Sequence, residues 1–201
     1  MKSPYLYLAS QSPRRRQLLD QMGVAHQLLL PQAHEDAEGL EALLPGESAR
    51  AYVQRVTRLK LQAAMQRRID LDLPAAPVLC ADTTVALGRQ ILGKPEGPAE
   101  ARRMLQSLSG QAHRVLTAVA VGRGRAIRLA LSVSVVRFDE LTPAWIRAYV
   151  ASGEPMGKAG AYAIQGRAAT RIASIRGSYS GIMGLPVRET AQLIEDWVEL
   201  G

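Results

Sequence analysis

Apolar and polar positions in the first third of the chain follow each other in blocks that predict a strand, a helix, a second strand and a long helix. Residues 5–9 are largely apolar and predict a short buried strand, and residues 13–22 predict a helix that Gly23 ends. Residues 26–30 predict the second strand. Apolar side chains then recur at helical spacing along one face of residues 47–68. Strands and helices in this order are typical of α/β proteins.

The rest of the chain mixes helices with strands that are joined by tight turns. An apolar strand over residues 77–81 has Asp82 at its carboxyl end, and β structure continues to Leu87 before a hairpin turn. A longer hairpin is predicted around residues 122–124. The other predicted segments are strands at 90–92, 115–121 and 129–138, helices at 98–108, 143–152 and 187–199, and two short segments at 161–165 and 170–175. The pattern predicts an α/β protein with a twisted mixed sheet flanked by helices, not a regular doubly wound series.

Composition and cysteine content exclude several classes of protein. A chain of 201 residues with 47% hydrophobic residues fits one domain, with or without a smaller second lobe, and buries a substantial core. No apolar run approaches the roughly 20 residues that span a bilayer, and the first residues lack the pattern of a signal peptide. The single cysteine, Cys80, excludes an internal disulfide framework and a cysteine-clustered metal site. We therefore expect a cytoplasmic protein without membrane contacts.

The basic charge favours an anionic ligand. The formal net charge is +7, which suits a nucleotide, a nucleic acid or an anionic membrane surface. The basic residues are spread along the whole chain, and only two Trp, six Tyr and one Phe are present, so a stacking platform for single-stranded nucleic acid is poorly supported. Only four of the basic residues are lysines: Lys2, Lys60, Lys94 and Lys158. A compact ammonium group binds anions differently from a guanidinium, so each lysine is a candidate functional residue.

The start of the first predicted helix carries an unusual charge. Ser12 is a favourable N-cap and Pro13 suits the first helical position, but three arginines, residues 14–16, follow directly. The N-terminus of a helix already carries a partial positive charge, so cations there are unfavourable unless an anion binds. Backbone N–H groups and guanidinium groups together form a phosphate site. A solvated basic helix start is the alternative, and the two interpretations stay open at this point.

Carboxylates near predicted strand ends are candidates for chemistry. Asp82 could act as a general base or as a Mg²⁺ ligand, whereas the structural alternative is a turn-forming aspartate. Glu35, in a polar loop over residues 32–45, could supply a second carboxylate. Lys60 lies at the border of the apolar face of its helix, where it is either a surface residue or a side chain that reaches into a cleft.

Several common catalytic motifs are missing from the sequence. There is no G-x-x-x-x-G-K-[ST] phosphate loop, no G-x-G-x-x-G after a strand and no G-x-S-x-G elbow. The three histidines, His26, His34 and His113, lack the spacing of metal ligands, so structural or solvent-exposed roles are expected for them.

A series of motifs recurs in order along nearly the whole chain. The motifs are Ser10-x-Ser12-Pro13-Arg14-Arg15, Glu47-Ser48-x-x-x-Tyr52-Val53-x-Arg55 with Lys60, Ala81-Asp82-Thr83, Gly93-Lys94-Pro95, Leu108-Ser109-Gly110, Lys158-Ala159-Gly160-Ala161-Tyr162-x-Ile164-Gln165-Gly166 and Gly177-Ser178-Tyr179. Together they resemble the Maf family of nucleoside triphosphate pyrophosphatases, whose members were once described as septum-formation inhibitors. No single motif carries the resemblance, but their number and order make it specific.

The resemblance implies a fold, a reaction and a set of site residues. The implied fold is an inosine-triphosphatase-like mixed α/β architecture with a central cleft. The implied reaction is hydrolysis of a nucleoside triphosphate between the α and β phosphates, which gives the monophosphate and pyrophosphate with Mg²⁺ or Mn²⁺ as cofactor. The implied roles are proton acceptor for Asp82, phosphate binding for Ser10, Arg14 and Arg15, charge stabilisation for Lys60 and Lys94, and metal binding for Glu35 and Asp82.

Three positions point to a subgroup of the family. Arg14, Thr83 and Gln165 match the group that resembles dTTP/UTP pyrophosphatases, whereas the sibling group associated with 7-methyl-GTP carries Trp, Gln and Glu there. A Trp stacks on a cationic methylated purine, while a Gln amide offers a donor and an acceptor to a neutral pyrimidine. We therefore expect dTTP and UTP as substrates, with tolerance of modified pyrimidines. The chain departs from the family pattern at His34, Gly181 and Met183.

Other functions stay open on the sequence alone. The alternatives are a 7-methyl-GTP pyrophosphatase, a non-catalytic basic protein that regulates cell division or binds nucleic acid, and a nucleotidyl transferase. The resemblance requires no polynucleotide partner and admits a homodimer.

Overall fold

The computed structural model describes residues 2–33, 35 and 39–198. Within these residues the chain forms one seven-stranded mixed sheet. The strands are β1 (Leu6–Leu8), β2 (His26–Leu28), β3 (Val78–Leu87), β4 (Gln90–Leu92), β5 (Ala112–Arg123), β6 (Ala126–Phe138) and β7 (Ile172–Arg176). Their order is β2-β1-β3-β5-β6-β7, and β4 also pairs with β3. β1 is parallel to β2 and β3, whereas the other pairs are antiparallel. The predicted mixed α/β fold is confirmed.

Six helices pack against this sheet. They are α1 (Pro13–Gln21), α2 (Ala49–Asp70), α3 (Pro98–Leu108), α4 (Pro143–Ala151), α5 (Tyr179–Met183) and α6 (Val187–Ile194). Side-chain oxygens of Ser48, Thr142 and Ser178 accept backbone N–H groups and cap α2, α4 and α5. Short 3₁₀ turns cover Gly39–Glu41, Ala159–Ala161 and Arg167–Arg171. No helix in the described part of the chain is long and apolar enough to cross a membrane.

Side chains of strand β3 pack into two parts of the core, one on each face of the sheet. Successive side chains of a strand point to opposite faces of its sheet. Val78 and Cys80 pack with Leu61 of α2 on one face. Leu79 and Ala81 pack with α1 and α6 on the other face. The same alternation sends Asp82 towards α2 and its neighbour Thr83 towards α1.

A gap in the pairing of β3 exposes this part of the strand. One edge of β3 pairs with β5 from Val78 to Ala86. The other edge pairs with β1 only at Val78 and Leu79, and with β4 only from Val85 to Leu87. Residues between these two partners therefore present an open edge, from which both faces of the strand are reached.

Some predicted boundaries were wrong. Asp82 does not end a strand but lies inside β3, because pairing with β5 continues past it to Ala86. The long hairpin turns at residues 124–125 instead of 122–124, because Gly122 and Arg123 still pair with Ile127 and Ala126. The second strand and the last helix end earlier than expected, at Leu28 and Ile194.

Two further segments differ from the prediction. In the short segment predicted at 161–165, Ala161 ends the 3₁₀ turn Ala159–Ala161, and residues 162–165 form no helix or strand. The five-residue helix α5 falls between the predicted segments 170–175 and 187–199, where no element was expected because Gly and Ser residues disfavour a helix.

Candidate active site

A cleft of about 1180 Å³ opens at the gap beside β3. Its walls come from the start of α1, the face of α2, the 3₁₀ turn Gly39–Glu41, residues 156–165 and the end of α5. All of the site residues predicted from the sequence line it: Ser10, Arg14, Arg15, Glu35, Lys60, Asp82, Thr83, Lys94 and Gln165. The fold thus brings together residues that are up to 155 positions apart (10 to 165) in the sequence.

Arginines dominate one end of the cleft. Arg15 donates from Nε to the carbonyl oxygen of Gly184 at 2.8 Å and from Nη1 to Ser10 Oγ at 3.1 Å. Its Nη2 lies 3.5 Å from Thr83 Oγ1. Arg14 donates from Nε to the carbonyl oxygen of Met183 at 3.3 Å. Within the described ranges neither arginine forms an ion pair with a carboxylate.

Lys158 adds a third cation to this end, and we call Arg14, Arg15 and Lys158 the arginine end. Burial, together with repulsion from Arg15, lowers the pKa of Arg14. Burial and the nearby charge of Arg14 likewise lower the pKa of Lys158, against the attraction of Glu154. Lys158 Nζ donates to the backbone oxygen of Glu154. Repulsion among these cations adds to the effect of burial, and an anion bound between them would relieve it.

The start of α1 agrees with this picture. Ser12 is the N-cap, but its side chain caps no backbone N–H group. Its own backbone N–H donates to Ser10 Oγ at 3.2 Å. Arg16 is exposed and lies outside the cleft. The three consecutive arginines therefore have different surroundings, and only the first two face the cleft.

The other end of the cleft pairs its cations with acids. Lys60 Nζ donates to Asp82 Oδ1 at 2.7 Å and to Glu41 Oε1 at 2.6 Å. Lys94 Nζ lies 3.0 Å from both carboxylate oxygens of Glu41. We call these four residues the lysine end. Burial alone would lower the pKa of Lys60, but attraction from Asp82 and Glu41 outweighs it and raises that pKa.

Glu41 is a member of the site that the sequence did not reveal. The Tyr52 hydroxyl donates to the Glu41 carbonyl oxygen at 2.9 Å, and Arg55 Nη2 donates to the Ala42 carbonyl oxygen at 2.8 Å. Both partners belong to α2 and to the motif that preceded Lys60 in the sequence. In the sequence, Tyr52 and Arg55 were the only indication that the end of the polar loop is held near Lys60.

Glu35 is held by an arginine of α2. Arg67 Nε donates to Glu35 Oε1 at 2.5 Å, Nη2 donates to Oε2, and the Gln32 backbone N–H donates to Oε1 at 3.0 Å. Arg67 also donates to the Leu29 carbonyl oxygen at 3.0 Å. The Arg67 side chain is only 5% exposed, so this is a buried ion pair that orients the carboxylate.

The acidic residues form no complete metal cage. Among the residues that the structure describes, no group of three or more His, Cys, Asp or Glu side chains could hold a metal ion. His34, Asp36 and Glu38 of the polar loop lie outside the described residues. A cation in this cleft would therefore draw part of its coordination from ligand oxygens or water, as Mg²⁺ commonly does.

The three positions that were predicted to separate the family's subgroups all line the cleft. Thr83 Oγ1 lies 3.0 Å from Thr117 Oγ1, which in turn donates to the Gly181 carbonyl oxygen at 2.7 Å. A Cβ at Gly181 would lie 3.0 Å from Ser132 Oγ, so the small residue allows α5 to approach the sheet closely. Gln165 is exposed on the facing wall, where its amide is available to a ligand.

His113 has a structural role behind this wall, as predicted. Its Nε2 lies 2.8 Å from the hydroxyl of Tyr162, which lines the cleft. Burial lowers the pKa of His113 to about 4, so the ring is neutral at physiological pH. The histidine supports Tyr162 and does not reach the cleft itself.

Comparison with known proteins agrees with this geometry. A family model described as Maf-like protein matches residues 5–197. The chain belongs to the Maf family. Proteins named dTTP/UTP pyrophosphatase are similar over nearly its whole length: one from Albidiferax ferrireducens is 62% identical over 97% of this chain and 98% of its own. One from a Polaromonas species is 64% identical over 94% of both chains, and one from Ralstonia nicotianae is 61% identical over 95% of this chain and 93% of its own.

Membership in the Maf family confirms the resemblance drawn from the ordered motifs. The motif residues that resembled the family's phosphate and specificity positions are those that line the cleft. The individual role of each residue stays a prediction.

Proposed function

We propose that this protein hydrolyses dTTP and UTP between the α and β phosphates and releases the nucleoside monophosphate and pyrophosphate. The observation that carries the proposal is the convergence of Arg14, Thr83 and Gln165 on the cleft that also holds Asp82. The names of relatives that are 62% and 64% identical support the same reaction and substrates.

Asp82 is proposed as the general base. It is 9% exposed, it lies on the open edge of β3, and Lys60 fixes one of its oxygens. A carboxylate has further lone pairs, with which it accepts a proton from an attacking water. The water then attacks phosphorus in line with the leaving group, a step that depends mainly on positioning and charge neutralisation.

Cations at both ends of the cleft are proposed to hold the triphosphate. Arg14 and Arg15 present guanidinium N–H groups next to the Ser10 hydroxyl, an arrangement that suits phosphate oxygens. Lys60 and Lys94 are proposed to stabilise the negative charge that develops on the leaving phosphates.

A divalent cation fits the donors that are present. Asp82 and Glu35 offer oxygen ligands, which Mg²⁺ and Mn²⁺ prefer, and one or two carboxylates suffice when substrate phosphates complete the shell. When bound, such an ion neutralises charge on the phosphate oxygens. The sequence-based assignment of Glu35 to the metal is compatible with its ion pair with Arg67, because a carboxylate accepts about four hydrogen bonds or metal contacts.

We further propose a cytoplasmic enzyme whose residues 1–201 act as one domain and whose only required partner is the nucleotide. The single sheet that supports both walls of the cleft favours one domain. Homodimer formation stays a prediction that a molecular-mass measurement in solution tests.

A panel of nucleoside triphosphates with Mg²⁺ or Mn²⁺, scored by monophosphate product, tests the proposal. We expect dTTP and UTP to be hydrolysed with the highest kcat/KM. Preference for 7-methyl-GTP would support the sibling activity, and transfer to an acceptor without free monophosphate would indicate a nucleotidyl transferase. Salt-dependent polynucleotide binding without turnover would indicate a regulatory protein.

A further inference from the structure

Glu41 pairs with both of the lysines that the proposed reaction needs for phosphate. One of its carboxylate oxygens accepts from Lys60, and both accept from Lys94. A phosphate group offers the same feature, anionic oxygens that accept hydrogen bonds from ammonium groups. Lys60 has three N–H donors and gives one each to Glu41 and Asp82, so one donor remains. A phosphate group that takes a second donor of Lys60, or the Lys94 donors that face Glu41, competes with Glu41.

We propose that the Glu41 carboxylate occupies the place of a substrate phosphate group and acts as an internal counter-ion that the incoming polyphosphate displaces. The inference rests on the proposed function, because that function assigns the lysine end to phosphate. Glu41 keeps Lys60 and Lys94 close together and charge-balanced in the free protein. Its contact with them opposes binding of the anionic substrate.

The movement required is small. The backbone at residues 41 and 42 is tied to α2 through Tyr52 and Arg55, and Arg55 is itself fixed by Glu47 at 2.7 Å. The Glu41 side chain is 27% exposed and Lys94 is 55% exposed, so solvent lies on the outer side of the contact. Rotation of the Glu41 side chain towards solvent is therefore enough to release both ammonium groups, and the loop backbone stays in place.

Asp82 stays in place during this exchange. Its side chain is 12% exposed and its bond to Lys60 does not involve Glu41. Replacement of Glu41 by phosphate exchanges one anion for another beside Lys60, so the ammonium group remains paired throughout. The electrostatic cost of the exchange is consequently modest, because the largely buried Lys60 keeps a counter-ion throughout.

Titration of inorganic pyrophosphate into metal-free protein tests the proposal. Glu41→Gln keeps the size and hydrogen-bonding capacity of the side chain but removes its charge. We expect this variant to bind pyrophosphate about tenfold more tightly than the wild type, because the charge-assisted competitor is gone. Glu47→Gln is the matched control: it changes a carboxylate that serves Arg55 and not the lysines, and it should keep the wild-type affinity.

The same variant has a kinetic signature. Removal of a group that competes with substrate in the free enzyme should lower KM for dTTP by a similar factor, whereas kcat should change little. A side chain that only supported the loop would not produce a gain in affinity.

Three results would overturn the inference. The first is equal, weaker or undetectable pyrophosphate binding by Glu41→Gln. The second is the same gain in Glu47→Gln, which would assign the effect to a loosened loop. The third is loss of Mn²⁺ binding in Glu41→Gln, measured by Mn²⁺ titration, which would make Glu41 a metal ligand. Because the pyrophosphate titration needs no turnover, a wild-type protein that fails to hydrolyse dTTP rejects the proposed function separately.

Discussion

The two ends of the cleft differ in whether carboxylates pair with their positively charged side chains. At the arginine end, Arg14 and Arg15 donate to carbonyl and hydroxyl oxygens, which orient the guanidinium groups but leave their charge uncompensated. At the lysine end, Lys60 and Lys94 face the carboxylates of Asp82 and Glu41. The arginine end therefore attracts an anion without rearrangement, whereas at the lysine end an incoming anion has to displace the Glu41 carboxylate.

The difference follows from the chemistry of the two side chains. A guanidinium group stays charged under all ordinary conditions, so neutral oxygens suffice to hold it in position for a ligand. A lysine that is largely buried risks losing its proton, and the neighbouring acids oppose this, since they raise the pKa of Lys60. We infer that the acids keep the lysines protonated until phosphate arrives, at the cost of some affinity.

The largest expected effect comes from Asp82, the acid that we propose as the general base. Asp82→Asn should lower kcat for dTTP by about 1000-fold, because general-base catalysis commonly contributes this much. Its thermal unfolding should stay close to that of the wild type, since Asn fits the same space on β3, its amide oxygen still accepts from Lys60, and Glu41 still pairs with that lysine. Turnover within a factor of about ten of the wild type would exclude Asp82 as the base.

An arginine that is paired with an acid should act on stability instead. Arg67→Met leaves Glu35 without its buried partner and should lower the free energy of unfolding by about 3 kcal/mol. Denaturant unfolding measures this. The exposed pair Arg128 and Asp196 offers the control, because Arg128→Met should cost about 1 kcal/mol or less. Equal losses in both variants would contradict a special role for the buried pair.

An unpaired arginine should act on ligand affinity. Arg15→Lys keeps the charge but loses the fork that contacts Ser10 and Gly184, so kcat/KM for dTTP should fall about 30-fold. The control is Arg16→Lys, which changes an exposed residue outside the cleft and should leave the kinetics unchanged. Similar losses in the two variants would show that general surface charge, not the arginine end, attracts the substrate.

Exchange of the residues that are predicted to read the base should have a smaller effect on dTTP hydrolysis than the changes above. The combined exchange Arg14→Trp, Thr83→Gln and Gln165→Glu introduces the residues of the sibling group and should lower kcat/KM for dTTP about tenfold. Competition assays with 7-methyl-GTP measure the change in preference. Unchanged dTTP turnover would mean that these positions do not read the base.

Sequence reasoning succeeded where the deciding physics is local. Apolar spacing placed α2 within two residues of its observed bounds, Ala49–Asp70. The misfit of Arg14 and Arg15 at the start of α1 pointed to the cleft because cap chemistry and helix electrostatics involve only neighbouring residues. The family resemblance supplied Gln165, which no local pattern singled out, and it gave specific roles to Lys60 and Lys94, which were until then only candidate residues.

Sequence reasoning failed where contacts between distant segments determine the local structure. The continuation of β3 past Asp82 depends on its pairing with β5. Asp82 and Thr83 point to opposite faces of the sheet, and the structure was needed to show that α2 covers one of these faces and α1 the other. Glu41 was missed because its position depends on hydrogen bonds from Tyr52 and Arg55 to the loop backbone. Among the acids of that loop, the sequence gives no reason to prefer it.

Steady-state kinetics of Arg15→Lys and Glu41→Gln with dTTP, measured side by side, test the contrast between the two ends most directly. If one end binds phosphate with uncompensated charge and the other through displacement of an internal acid, KM rises in Arg15→Lys and falls in Glu41→Gln. A shift of KM in the same direction in both variants would contradict the account.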